Sequence, residues 1–110
     1  MLQHDHHARE FSARNIHWIF EREQIKTIHR LSGVAETLYH SGDVEESIAI
    51  FKKVLELNPH YAKALHMLAI AEWQKGDTES SMINIAHAIA VNDQDSSIVS
   101  TWGRIKTTLA

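Results

Sequence analysis

LSGVAETLYHSGDVEESIAIFKKVLELNP (residues 31–59) and LHMLAIAEWQKGDTESSMINIAHAIAVND (residues 65–93) are two versions of one pattern, displaced by 34 residues. The offset pairs Leu31 with Leu65, Ala35 with Ala69, Gly42 with Gly76, Asp43 with Asp77, Glu45 with Glu79, Ser47 with Ser81 and Asn58 with Asn92. Between these identities lie conservative pairs such as Val34 with Leu68, Phe51 with Ile85 and Leu55 with Ile89. A period of this length is the signature of a stacked repeat whose units bury their apolar faces only against one another.

Each unit reads as two helices and a tight turn. Ser41-Gly42-Asp43 and Lys75-Gly76-Asp77 each offer a glycine to end one helix and an aspartate to cap the next. In the second helix of the first unit, Ile48, Phe51, Val54 and Leu55 recur at three- and four-residue steps, and Glu45, Glu46, Lys52, Lys53 and Glu56 take the other face. Asn58-Pro59 stops that helix, because proline has no amide to donate and restrains the residue before it. With one proline and four glycines in 110 residues, an all-α chain is expected.

These units resemble the tetratricopeptide repeat, whose pattern runs W-x2-L-G-x2-Y, then A-x3-F, then P. The first gives Leu31-x2-Val34-Ala35-x2-Leu38, Ser47-x3-Phe51 and Pro59; the second gives Leu65-x2-Leu68-Ala69-x2-Glu72, Ser81-x3-Ile85 and Asp93. A third start is Val99-x2-Trp102-Gly103-x2-Lys106, so the resemblance covers residues 28–110 and ends in a half unit. Departures fall at Glu72 for tyrosine, Asp93 for proline, and Ser47 and Ser81 for alanine. The expected organisation is a flexible terminus at 1–7, a helix at 8–27, repeat units at 28–61 and 62–95, and a capping helix at 96–110. In that last helix Asp95, Ser96 and Ser97 form the cap, and Val99, Trp102, Ile105 and Leu109 one apolar stripe.

Residues 8–27 do not follow the repeat in this frame, since His17 falls opposite Phe51 and Ile25 opposite Pro59. Phe11, Ile16, Trp18, Ile19, Phe20 and Ile25 place large apolar groups on more than one side of a helix. Leaving all six in water forgoes on the order of 10 kcal/mol, at roughly 1.5–3 kcal/mol for each buried side chain. This helix is therefore expected to complete the fold or to join two chains, with Phe11, Ile16, Trp18, Ile19 and Phe20 as its packing residues.

Composition narrows the function. A formal charge of −3 with interspersed signs gives no basic stripe for nucleic acid. No stretch reaches the apolar length of a membrane span and no signal-like segment opens the chain, which suggests a cytoplasmic protein. The absence of cysteine removes disulfides and thiolate chemistry. His4, His6 and His7 could offer imidazoles to a metal, but they sit in a polar terminus with no arranged fourth ligand, and no metal or cofactor is expected. No nucleophile motif, phosphate loop or paired-carboxylate arrangement points to an enzyme.

The resemblance implies a concave groove lined by the first helices of successive units. Here its residues would be His29, Ser32, Gly33, Glu36, Tyr39 and His40, then Lys63, His66, Met67, Ile70, Trp73 and Gln74. Some members grip a terminal carboxylate with basic and amide side chains, but the matching positions are Ser32, Glu36, Met67, Ser97 and Thr101, so no clamp is expected. Tyr39, Lys63, His66, Met67, Ile70 and Trp73 are the candidate partner-binding residues, and a peptide or amphipathic helix is the candidate ligand; self-burial against residues 8–27 is the alternative. The expected roles are an adaptor or scaffold, a chaperone for a secretion-system or pilus subunit, or a self-assembling oligomer.

Overall fold

A computed structural model describes the backbone of residues 2–109 and the side chains of residues 16–109. The helices are α1 (Leu2–His40), α2 (Val44–Leu57), α3 (Ala62–Gln74), α4 (Thr78–Val91) and α5 (Ser96–Leu109), with no strand among the described residues. Consecutive helices pack against one another through the chain, and α3 also touches α1 and α5. The first helices of successive units, α1, α3 and α5, thus stand side by side with α2 and α4 behind them.

The turns form as the glycines demand. Gly42 and Gly76 take φ of +92° and +89°, a region open to glycine and strained for other residues. The amides of Asp43 and Asp77 reach back to the carbonyls of Leu38 and Glu72, closing the ends of α1 and α3. Asp77 caps α4 by accepting from the Ser80 amide at 3.1 Å, and Asp95 caps α5 by accepting from the Ser97 amide at 2.9 Å. Asp43, expected to do the same for α2, makes no side-chain cap bond. α2 ends before Asn58-Pro59, and α4 ends at the equivalent Val91 with Asp93 in place of proline.

Two cores alternate along the stack. Ile28, Ala35, Phe51, Val54, Ala64 and Leu68 form one, and Leu65, Ala69, Ile85, Ala88, Ile98 and Ile105 the other. Across each hairpin, Ser47 Oγ donates to the Ala35 carbonyl at 2.8 Å and Ser81 Oγ to the Ala69 carbonyl at 2.7 Å. Both serines are fully buried, so the hydroxyls that depart from the family's alanine are satisfied in the same way in both units.

Two expectations need correction. The helix before the repeats is not separate: α1 runs through residues 27 and 28, because no glycine or proline precedes Gly33 to break it. Among the described residues there are therefore five helices where six were expected. The buried stripe of α5 is also different, namely Ile98, Thr101 and Ile105, while Val99 and Leu109 are 41% and 58% exposed. Val99, about 100° around the helix from Ile98, borders a hollow with Ala86 and Ile89 of α4.

Candidate functional site

The five α3 positions 63, 66, 67, 70 and 73 recur at helical spacing, so Lys63, His66, Met67, Ile70 and Trp73 share one face. Three side-chain contacts show that this face looks across the row of first helices. Lys63 Nζ lies 3.2 Å from Glu36 Oε1 on α1, His66 Nε2 lies 2.8 Å from Thr101 Oγ1 on α5, and Trp73 Nε1 donates to Thr108 Oγ1 at 3.2 Å. Tyr39 occupies the α1 position 34 residues before Trp73 and is half-buried, edge-on to His40.

The centre of this surface is apolar. Met67 and Trp73 back onto the first and second cores respectively, and Ile70 is half-buried between them in sequence. Each presents part of its surface to water while its remainder is held by packing, which pre-sets the rotamers that a ligand would meet. The Lys63–Glu36 pair neutralises one charge of each sign at the rim, and being largely exposed it contributes little to stability.

His66 is tied down more closely. Thr101 Oγ1 already donates to the Ser97 carbonyl at 2.9 Å, so it accepts from His66, which places the imidazole proton on Nε2. Burial pushes the His66 pKa below its ordinary value, partly opposed by Asp95. Ser32, on the same side of α1, is 3% exposed, and its hydroxyl has no hydrogen-bond partner among the described residues.

Of the residues expected to pack the amino-terminal helix, Ile16, Trp18, Ile19 and Phe20 are 50–70% exposed, as is Ile25 at 56%. They do not fold back over Met67, Ile70 and Trp73, because they lie on the straight extension of α1. Arg22 caps the Trp18 ring at 4.9 Å, and Phe20 borders a hollow with Glu23, Gln24, Thr27 and Leu57. The side chains of Phe11, His4, His6 and His7 lie outside the described residues; the backbone of the terminus expected to be flexible at 1–7 is, from Leu2 on, the first part of α1.

Two features escaped the sequence reading. A hollow of about 510 Å³ lies behind the groove row, lined by Glu45, Ile48, Lys52, Glu72, Lys75 and Asp77 among others. Lys75 donates to Glu45 at 2.8 Å and holds that carboxylate's pKa down, while Glu72, 5% exposed, accepts from Asn84 at 2.6 Å. Burial raises the Glu72 pKa, with the Asn84 bond partly opposing it. The second feature is an apolar hollow of about 290 Å³ between α4 and α5, lined by Ala86, Ile89, Val99 and Trp102.

A family model described as tetratricopeptide repeat matches residues 38–100. Among curated proteins no match is found. Among solved structures the fold is similar to that of SycD, a type III secretion chaperone of Yersinia enterocolitica, crystallised in complex with a peptide of the translocator YopD. The TM-score is 0.72 at 13% sequence identity, over 76% of this chain and 63% of that chaperone, so this chain spans less than two thirds of its length.

Proposed function

The chain belongs to the tetratricopeptide-repeat family, and from that premise we propose that it is a non-catalytic interaction module, an adaptor or scaffold of the cytoplasm, which holds a peptide or amphipathic helix of another protein. The observation that carries this reading is the face of α3 and α1 on which Tyr39, Met67, Ile70 and Trp73 are half-buried from behind and open in front. Methionine adapts its shape to a ligand and tryptophan supplies rigid area. Lys63 and His66 edge this surface and orient the ligand by hydrogen bonds. Binding through this surface is apolar in character and therefore only weakly dependent on salt.

The test is capture of the partner from the native host, followed by fluorescence titration of the purified pair. Trp73→Ala is expected to cost about 2 kcal/mol of binding, the scale of a central aromatic anchor, and Lys63→Ala much less. Trp73 also packs on the second core, so circular dichroism must show each variant folded, and Ile70→Ala provides a companion that removes less of the core. Normal binding by folded Trp73 and Ile70 variants would move the site elsewhere.

A second reading is a chaperone that shields an aggregation-prone segment of a secretion-system or pilus subunit. The fold likeness to a chaperone crystallised with a peptide favours it. It differs from the first in its client: one small apolar subunit that precipitates when this chain is absent, against a soluble partner bound reversibly.

A further inference from the structure

The fold brings together two histidines that stand 27 residues apart in sequence. His60 lies in the turn between α2 and α3, where one repeat unit passes into the next, and His87 lies on α4, the second helix of the second unit. His87 Nε2 is 3.4 Å from His60 Nδ1, with the rings edge to face at 82° and their centroids 5.5 Å apart. Both atoms are ring nitrogens that can present a lone pair. Their separation is longer than the roughly 2.7–3.2 Å that N–H donors keep to their acceptors. It matches the span of two imidazole nitrogens on one tetrahedral ion, about 3.3–3.4 Å when each bond to the ion is about 2.0–2.1 Å.

The backbones behind the two rings are held in place. The His60 amide donates to Asn58 Oδ1 at 3.1 Å, the Tyr61 amide donates to the Asn58 carbonyl at 3.2 Å, and the Tyr61 ring stacks on His29 of α1. On α4 the neighbours of His87 at 85 and 88, Ile85 and Ala88, are fully buried and fix the helix against the core. The rings themselves are accessible, His60 being exposed and His87 half-buried, so small turns about their side-chain bonds can bring both lone pairs onto an ion. Packing does not ask for imidazoles here. The positions 34 residues earlier are Lys26 and Lys53, so the repeat needs no ring at either place.

We propose that His60 and His87 form a two-imidazole site for a late first-row divalent cation, copper(II), nickel(II) or zinc(II), which staples the turn between the units to α4. Neutral imidazole suits these ions, whereas magnesium and calcium take oxygen ligands. Among the described residues no third histidine or carboxylate joins the pair, and water completes the coordination. With 27 residues between them, the two ligands leave no ligand spacing in the sequence; the stacking of the hairpins creates the site. It shares no residue with the groove of Met67, Ile70 and Trp73, and neither reading depends on the other.

Because the two ligands come from different elements and meet only in the folded chain, an ion held by both stabilises the native state. His4, His6 and His7 are close neighbours in sequence and need no folded repeat to bind an ion. The experiment is therefore thermal unfolding of the full chain by circular dichroism with nickel(II) or zinc(II), and with magnesium as the control. Wild type is expected to gain about 5 °C or more at about ten times the dissociation constant of either ion, and nothing from magnesium. His60→Ala and His87→Ala are each expected to lose that gain while melting within a few degrees of wild type without metal. His87→Gln is the second variant should alanine disturb α4. A chain with His4→Ala, His6→Ala and His7→Ala together is expected to keep the gain. A wild type whose melting neither ion moves, a gain that survives removal of His60 or of His87, or a gain that vanishes with the three terminal histidines alone would each overturn the proposal.

Discussion

Gly42 and Gly76 carry the turns at a φ that other residues reach only under strain, and no atom lies within 4 Å of where a side chain would begin. A substitution there is penalised by the backbone alone. Gly76→Val is expected to cost about 1–3 kcal/mol in urea denaturation, against less than about 0.5 kcal/mol for Lys52→Ala on an exposed face. Glu72 gives a pH-dependent counterpart. Its folded pKa is raised by burial above an ordinary value near 4.5, so the native state resists ionisation and wild type loses stability as pH rises from there through the raised value. Glu72→Gln, neutral throughout and still able to accept from Asn84, is expected to match wild type below that window and exceed it at pH 7. Equal pH profiles for the two proteins would refute the assignment. The glycines were legible because backbone demands select a residue type. The pairing of Ser47 with Ala35 and Ser81 with Ala69 was not, since a backbone carbonyl across a helix pair leaves no mark on the side-chain pattern.

At the level of helices, periodicity located α2 to α5 but misjudged α1 and the orientation of α5. The repeat boundary at residue 27 is a change in what the helix packs against, and a helix without a breaker crosses such a boundary unmarked. For α5, Val99, Trp102, Ile105 and Leu109 and the stripe Ile98, Thr101, Ile105 both fit helical spacing; the second is the buried one, and of the first Trp102 is only partly packed on the same core while Val99 and Leu109 are exposed. Thr101 won a buried place through its bonds to Ser97 and His66, a pairing that an apolar count overlooks. Ile105, fully buried, anchors the helix: Ile105→Ala is expected to destabilise by about 2–4 kcal/mol, whereas Ile83→Ala, at a side chain 66% exposed, should cost less than about 0.5 kcal/mol. Thermal or urea unfolding of the two variants distinguishes a docked α5 from a loosely attached one.

For the whole molecule, the 34-residue period was sufficient to identify stacked helical hairpins, because repetition encodes the interface between units as well as the units themselves. The candidate groove came from the family resemblance, not from the period, and Lys63, His66 and Trp73 each contact a neighbouring first helix. What the period left unread were residues 8–27, which find no match at the 34-residue offset, and the exposed side of α5. The passage of α1 through its repeat boundary has a kinetic consequence. From Ile28 onward its amides are sheltered by tertiary packing, but residues 16–27 inherit their order by propagation along a single exposed helix. Deuterium uptake is therefore expected to grade along one continuous rod, slow near Ala35 and progressively faster toward Ile16, with no step at a helix end. Anything that seats on Ile16, Ile19 and Phe20 should flatten that gradient, so isotope exchange along one helix would report occupancy of the end of the molecule without any label attached to it.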